Sequence, residues 1–151
     1  MKQITKQSEN MGGVLRIWAV PPTDFTVSGK VITITNDANV VQLYAKEDSA
    51  AFMEEMTRTS AGKVYKTELS AIVPCVHSDS DSIIADMERR CKYVAVFEDG
   101  NGAYRLAGTR AVPLRFAAKA ATQAPAAGLS AYAVSFSGLQ TKRAVFIDNP
   151  F

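Results

Sequence analysis

The chain has 151 residues, of which 47% are apolar and 21% charged, and both values are typical of a globular protein rather than a disordered one. This length predicts a single domain over residues 1–151, because two ordinary domains would each need a longer chain. Seventeen basic and fifteen acidic residues give a net charge of +2 with no block of Lys or Arg, so we expect no nucleic-acid partner.

Neither end of the chain, nor any part between, shows an apolar segment that would direct it to a membrane. The first residues carry lysines but no apolar signal-peptide core, and no run approaches the roughly 18 apolar residues of a membrane span. We therefore expect an unexported chain with no membrane partner.

Most of the chain alternates apolar and polar residues with a period of two, which is typical of β-strands. In "SAYAVSFSG", for example, Tyr132, Val134 and Phe136 alternate with Ala133 and Ser135. About nine strands follow, which is the number found in a sandwich or barrel. In chain order the predicted strand segments are 14–20, 25–35 (a hairpin about Ser28-Gly29), 40–45, 63–73, 92–97, 103–108, 113–116, 130–138 and 143–147. The segment 92–97, "KYVAVF", is apolar on both faces, which predicts a central strand.

Two segments depart from this period and predict helices, at 49–57 and 79–91. In the first, Phe52, Met53 and Met56 fall at helical spacing behind a Ser49 cap. In the second, Ser78-Asp79 is the predicted cap, and the apolar residues at helical spacing are Ile83, Ile84, Met87 and Cys91. The predicted fold class is α+β, mainly β: a curved antiparallel sheet, sandwich-like or barrel-like, with two short helices packed on it.

The segment "AAKAATQAPAAGLSA", residues 117–131, contains eight alanines between two predicted strands. Pro125 and Gly128 interrupt any helix there, so the prediction is a long, mobile connection. It is either a disordered loop or an arm that orders on a neighbouring subunit. In the second case the possible intersubunit contacts are Ala121, Pro125, Gly128 and Phe151.

The run Asp99-Gly100-Asn101-Gly102 suggests a ligand loop, but its context favours a hairpin turn. A phosphate loop needs a helix after its glycines, whereas Ala103 begins a strand pattern. A calcium loop needs more oxygen ligands at alternate positions. Asp-Gly and Asn-Gly pairs are common in hairpin turns, and this explains the run without a ligand.

The residues that could supply catalysis or metal binding are few. His77 is the single histidine and Cys75 and Cys91 are the only cysteines. His77 is interpreted as an exposed loop residue, and the cysteines as buried free thiols rather than a disulfide. We expect no catalytic residues, no cofactor and no metal site, and hence no enzyme.

Three segments, "SENMGGVLRIWAVPP", "VFEDGNGAYRLAGTRAVPLRF" and "RAVFIDNPF", resemble small uncharacterised virion proteins of tailed phages and prophages of Bacteroidales. The resemblance implies a structural role in the tail or neck region. The expected partners are further copies of the chain or other virion proteins, and the expected location is the virion, with assembly in the bacterial host cytoplasm. The alternative is a monomeric β-rich module that binds a glycan or a small ligand.

Overall fold

The computed structural model describes residues 12–74, 76–122 and 130–151. These form eleven strands, one α-helix and a short 3-10 turn at Asp37–Asn39. The helix, α1, spans Ser78–Arg90. The strands are β1 (Val14–Val20), β2 (Phe25–Ser28), β3 (Val31–Ile34), β4 (Val41–Leu43), β5 (Ala51–Thr59), β6 (Gly62–Pro74), β7 (Lys92–Asp99), β8 (Tyr104–Ala107), β9 (Leu114–Thr122), β10 (Ser130–Gln140) and β11 (Val145–Ile147).

Nine of these strands form one antiparallel sheet in the order β11-β8-β7-β9-β10-β6-β5, with β1 paired to β7 and β4 paired to β1. The hairpin of β2 and β3 forms a separate small sheet. The sheet is not closed into a barrel. The prediction of a mainly β fold with an antiparallel sheet is therefore confirmed.

The strands β1 and β7 are buried on both faces, and this places a core on each side of the sheet. Ile17 of β1 and Phe97 of β7 belong to the larger core, which α1 helps to fill. Trp18 and Val96, their neighbours in sequence, belong to a smaller core beneath the β2–β3 hairpin and β11. This arrangement explains why "KYVAVF" is apolar at consecutive positions.

The helix predicted at 79–91 is confirmed as α1, with different ends. His77 is its N-cap and accepts a hydrogen bond from the Ser80 backbone N–H at 3.4 Å. Cys91 ends the helix with a φ of 62° and is a free, half-buried thiol. Only Ile84 and Met87 are buried, so the apolar stripe is narrower than predicted.

The helix predicted at 49–57 is wrong, because this segment forms strand β5. Its residues pair with β6 from Ala51 opposite Ser70 to Thr59 opposite Gly62. Phe52 points inward and its ring contacts the tilted ring of Phe97, with centroids 4.6 Å apart, while Met53 is exposed. Pairing with the long strand β6 overrides the helical spacing of three apolar residues.

The long connection predicted at 117–131 is also wrong where the structure describes it. β9 continues to Thr122 and β10 begins at Ser130, and these two residues face each other in the ladder. The ladder runs without a shift in register through this alanine-rich stretch, from Arg115 opposite Ser137 to Thr122 opposite Ser130. The positions of Pro125 and Gly128 lie outside the described residues.

The turn predicted at Asp99 to Gly102 is confirmed as the hairpin between β7 and β8. The Asp99 carboxylate accepts hydrogen bonds from the backbone N–H groups of Asn101 and Ala103, at 2.9 and 3.0 Å. Gly102 has a φ of 75°, which a side chain would disfavour. The aspartate and glycine residues thus have a conformational role in this turn.

Candidate functional site

A cavity of about 520 Å³ lies between the β2–β3 hairpin, the end of β8 and the segment from β10 to β11. We call it the cationic cavity. Its apolar wall consists of Phe25, Val27, Leu106, Val145 and Ile147, and its charged lining residues are Arg110, Lys142 and Arg143. A volume of this size is in the range of small-molecule sites.

A six-residue loop, 108–113, forms one side of the cationic cavity. It leaves the sheet at Gly108, whose φ is +88° and whose added Cβ would lie 3.2 Å from the Leu114 Cγ. The Thr109 backbone N–H donates to the Val112 carbonyl at 3.1 Å. The buried Gln140 side chain donates to the same carbonyl at 3.0 Å, so β10 holds the loop in place.

The opposite side of the cavity is held by the chain after β11. The Asp148 backbone N–H donates to the Lys30 carbonyl at 2.9 Å and ties β11 to the turn of the β2–β3 hairpin. One wall is therefore held by the Gln140 side chain and the other by a backbone hydrogen bond, and the cavity is a preformed feature of the fold.

The charged side chains that line the cavity are all positive. Among the residues that the structure describes, no Asp or Glu lines it, and Arg110, Lys142 and Arg143 take part in no salt bridge. The Arg143 guanidinium lies over the Tyr65 ring, 5.5 Å from its centroid, which restricts its orientation. The arrangement can attract an anion and shield an apolar group from water.

A second feature is the free edge of the sheet at β5. Across the described strands, β5 pairs with β6 alone. It has nine residues and no proline, its ladder with β6 has no shift in register, and residues 55–59 are all exposed. The other strands that end the sheet, β4 and β11, have three residues each, and β9 pairs with β10 alone beyond Arg115, so β5 is the longest strand with a single partner strand among those described.

The inner face of β5 is linked to the opposite end of the sheet by Glu54. Its carboxylate accepts a hydrogen bond from the Ala144 backbone N–H at 2.7 Å and lies 3.9 Å from the Arg105 guanidinium. That guanidinium is close to three rings, with centroid distances of 4.8 Å to Phe52, 4.9 Å to Phe146 and 5.9 Å to Phe97. Side-chain contacts thus connect β5 with the β8–β11 end of the sheet, although no backbone pairing connects these strands.

Of the four possible contact residues singled out from the sequence, the structure describes two, Ala121 and Phe151, in different parts of the fold. Ala121 is exposed on β9, opposite Ala131 of β10. Phe151 stacks on Trp18 with ring centroids 4.7 Å apart, yet it is 51% exposed. The other two candidates, Pro125 and Gly128, lie outside the described residues, as does Cys75.

His77 is exposed, as predicted, but it is part of the helix cap. Its ring contacts the Ser80 hydroxyl, with 2.9 Å between Nε2 and Oγ. Next to it, the Tyr132 hydroxyl donates to the Asp81 carboxylate at 2.8 Å. Burial, and secondarily this hydrogen bond, raises the pKa of the Tyr132 phenol above its usual value.

Other signs of function are few among the residues that the structure describes. In the part of the chain that the structure describes, no group of three or more His, Cys, Asp or Glu residues could hold a metal ion. No helix of the described residues is both long and apolar enough to cross a bilayer. No protein-family model matches the chain, and no curated protein or solved structure has significant similarity to it.

Proposed function

We propose that the chain is a non-enzymatic structural protein of the tail or neck region of tailed phages or prophages, and that it self-associates through β5. The observation that carries the self-association is the nine-residue, proline-free edge of β5. The virion context rests on the resemblance of the three quoted segments. The chain would assemble in the host cytoplasm and act in the virion.

An edge strand presents a row of backbone N–H and C=O groups that a further strand can pair with. Proteins that stay monomeric protect such edges with prolines, bulges or short strands, and β5 has none of these protections. Charged residues do occur on β5, but the exposed Met53 gives its outer face an apolar contact point. Antiparallel pairing of β5 with β5 of a second copy makes an isologous interface, so the expected assembly unit is a two-fold dimer.

Sedimentation of the purified chain over a range of concentrations tests the proposal. The wild-type protein should form oligomers, and Met53→Lys should shift it toward monomers by placing like charges at the β5 interface. Leu139→Lys is the matched control: Leu139 is 63% exposed, close to the 66% of Met53, but it lies on β10, an interior strand of the sheet that is separated from the β5 edge by β6. A monomer at every concentration, or equal dissociation by both variants, would refute self-association through β5.

The virion part has its own test. Mass spectrometry of purified particles from a host that carries the gene should detect the chain together with tail or neck proteins. Particles that lack it would refute the virion role and leave the sedimentation result unaffected.

The second candidate function is the monomeric module that binds a small ligand. The cationic cavity supports it, because its volume, apolar wall and fixed sides are the features of a ligand site. A chain that stays monomeric and binds a small molecule in this cavity would favour this function over the first.

A further inference from the structure

We propose that the cationic cavity binds a small organic anion whose apolar body is a ring system or a branched chain. The inference rests on the second candidate function and deepens it by naming the class of ligand. It does not require self-association through β5.

The apolar part of the ligand is specified by the wall. Phe25, Leu106 and Ile147 are buried residues of the smaller core whose surfaces also line the cavity. Burial of apolar ligand surface against such side chains is favourable because it removes that surface from water. A neutral glycan, which presents hydroxyl groups, would leave many of them without partners along this wall.

The charged part of the ligand is specified by the lining cations. Three positive side chains come from two separate segments, Arg110 from the loop after β8 and the pair Lys142-Arg143 from the turn after β10. No carboxylate of the described residues neutralises them within salt-bridge distance. Their mutual repulsion would decrease when a carboxylate, sulfonate or phosphate bound between them.

Arg143 is the residue best placed to fix the orientation of such an anion. Its guanidinium rests on the Tyr65 ring, and the planar edge of a guanidinium can donate two parallel hydrogen bonds to one carboxylate. Lys142 adds a single flexible charge beside it. The geometry favours ligands with an accessible anionic group at one end.

Titration with a matched set of probes tests the inference. The probes are 2-naphthoate, neutral 2-naphthamide and 2-naphthylmethylammonium, which share one apolar body and differ in charge. Calorimetry should give the tightest binding for naphthoate, and added NaCl should weaken it. In amide NMR spectra the largest shift changes should fall on Gly29, Leu106, Thr109 and Val145.

Single substitutions test which positive side chains bind the carboxylate of naphthoate. Arg143→Gln and Lys142→Gln should each weaken naphthoate binding by about tenfold, the effect of one lost charge-assisted contact. Lys119→Gln, which removes a charge from exposed β9, is the control and should leave the affinity within about twofold.

The outcomes distinguish the preference for an anion from the more general proposal that this cavity binds a small ligand. Equal affinity for naphthoate and naphthamide in this cavity would refute the anion preference and keep the binding function. No binding of any probe at millimolar concentration, or shift changes confined to other surfaces, would refute both.

Discussion

Replacement of Glu54 by alanine is expected to lower the free energy of unfolding by about 3 kcal/mol. The Glu54 side chain is 9% exposed and accepts a 2.7 Å hydrogen bond from the Ala144 backbone N–H. A hydrogen bond to a charged group contributes about 1.5–3 kcal/mol. Its loss also leaves that N–H without its acceptor.

The ion pair with Arg105 adds less. At 3.9 Å its gross attraction is about 4 kcal/mol for an effective dielectric constant of about 20. The Arg105 side chain is 21% exposed, and desolvation and solvent screening offset most of this attraction, so about 1 kcal/mol remains. A double-mutant cycle of Glu54→Ala with Arg105→Met should give a coupling energy of that size.

Urea unfolding followed by the fluorescence of Trp18, the single tryptophan, measures these changes. For a chain of this length, 3 kcal/mol corresponds to a fall in Tm of about 6–12 °C. Glu55→Ala is the matched control, because Glu55 is the next residue of β5 and is exposed. A loss below about 0.5 kcal/mol for Glu54→Ala, or equal losses for both variants, would show that Glu54 does not link the ends of the sheet.

Two other substitutions test the loop and the helix contact. Gly108→Ala places a Cβ 3.2 Å from the Leu114 Cγ at a φ of +88°, and it should lower the free energy of unfolding in urea by about 1–3 kcal/mol. Gly29→Ala, at a φ of +63° with nothing within 4 Å of the added Cβ, should lower it by less. A larger loss for Gly29→Ala than for Gly108→Ala would contradict the steric argument. Because folding raises the pKa of Tyr132, the native state keeps a proton that the unfolded chain releases above about pH 10, so stability falls as pH rises through this range. Tyr132→Phe should therefore show a smaller fall in Tm between pH 9 and 11 than the wild type, and a fall of unchanged size would count against the shift.

The strands with alternating side chains were predictable from the sequence because a single core receives one side of each strand. Tyr132, Val134 and Phe136 all enter the larger core, and the residues between them face outward. The same periodicity was ambiguous for β5. Phe52 and Met56 satisfy both a period of two and the spacing of a helix, and only their pairing with β6, which lies later in the chain, decides between the two.

The prediction for the alanine-rich segment 117–131 was wrong for a different reason. Alanine carries little information on period, because its side chain is small enough for either face of a sheet. Ala118 is half-buried against the larger core and Ala117 is exposed, although both residues are alanine. The pairing register with β10 therefore decides which side of the sheet each alanine faces, and the side chains of this segment do not.

The cationic cavity could not be predicted, because its lining comes from three segments that no local spacing connects. Phe25 and Ile147 are separated by more than one hundred residues, and Lys142-Arg143 has the composition of an ordinary exposed turn. Only the return of β11 to β8 brings the turn beside the β2–β3 hairpin. The sequence signal was limited to a pair of basic residues.

The turn after β10 also connects the two features proposed as functional. Lys142 and Arg143 line the cavity, and the next residue, Ala144, donates to Glu54 of the edge strand β5. Because the Arg143 guanidinium lies over Tyr65, which faces Met56 in the ladder, a second contact joins the cavity to the same strand. The position of the two cations therefore depends on β5. Glu54→Ala should weaken naphthoate binding although Glu54 does not line the cavity, whereas Glu55→Ala should not, and equal affinities in both variants would show that the turn holds its place without β5.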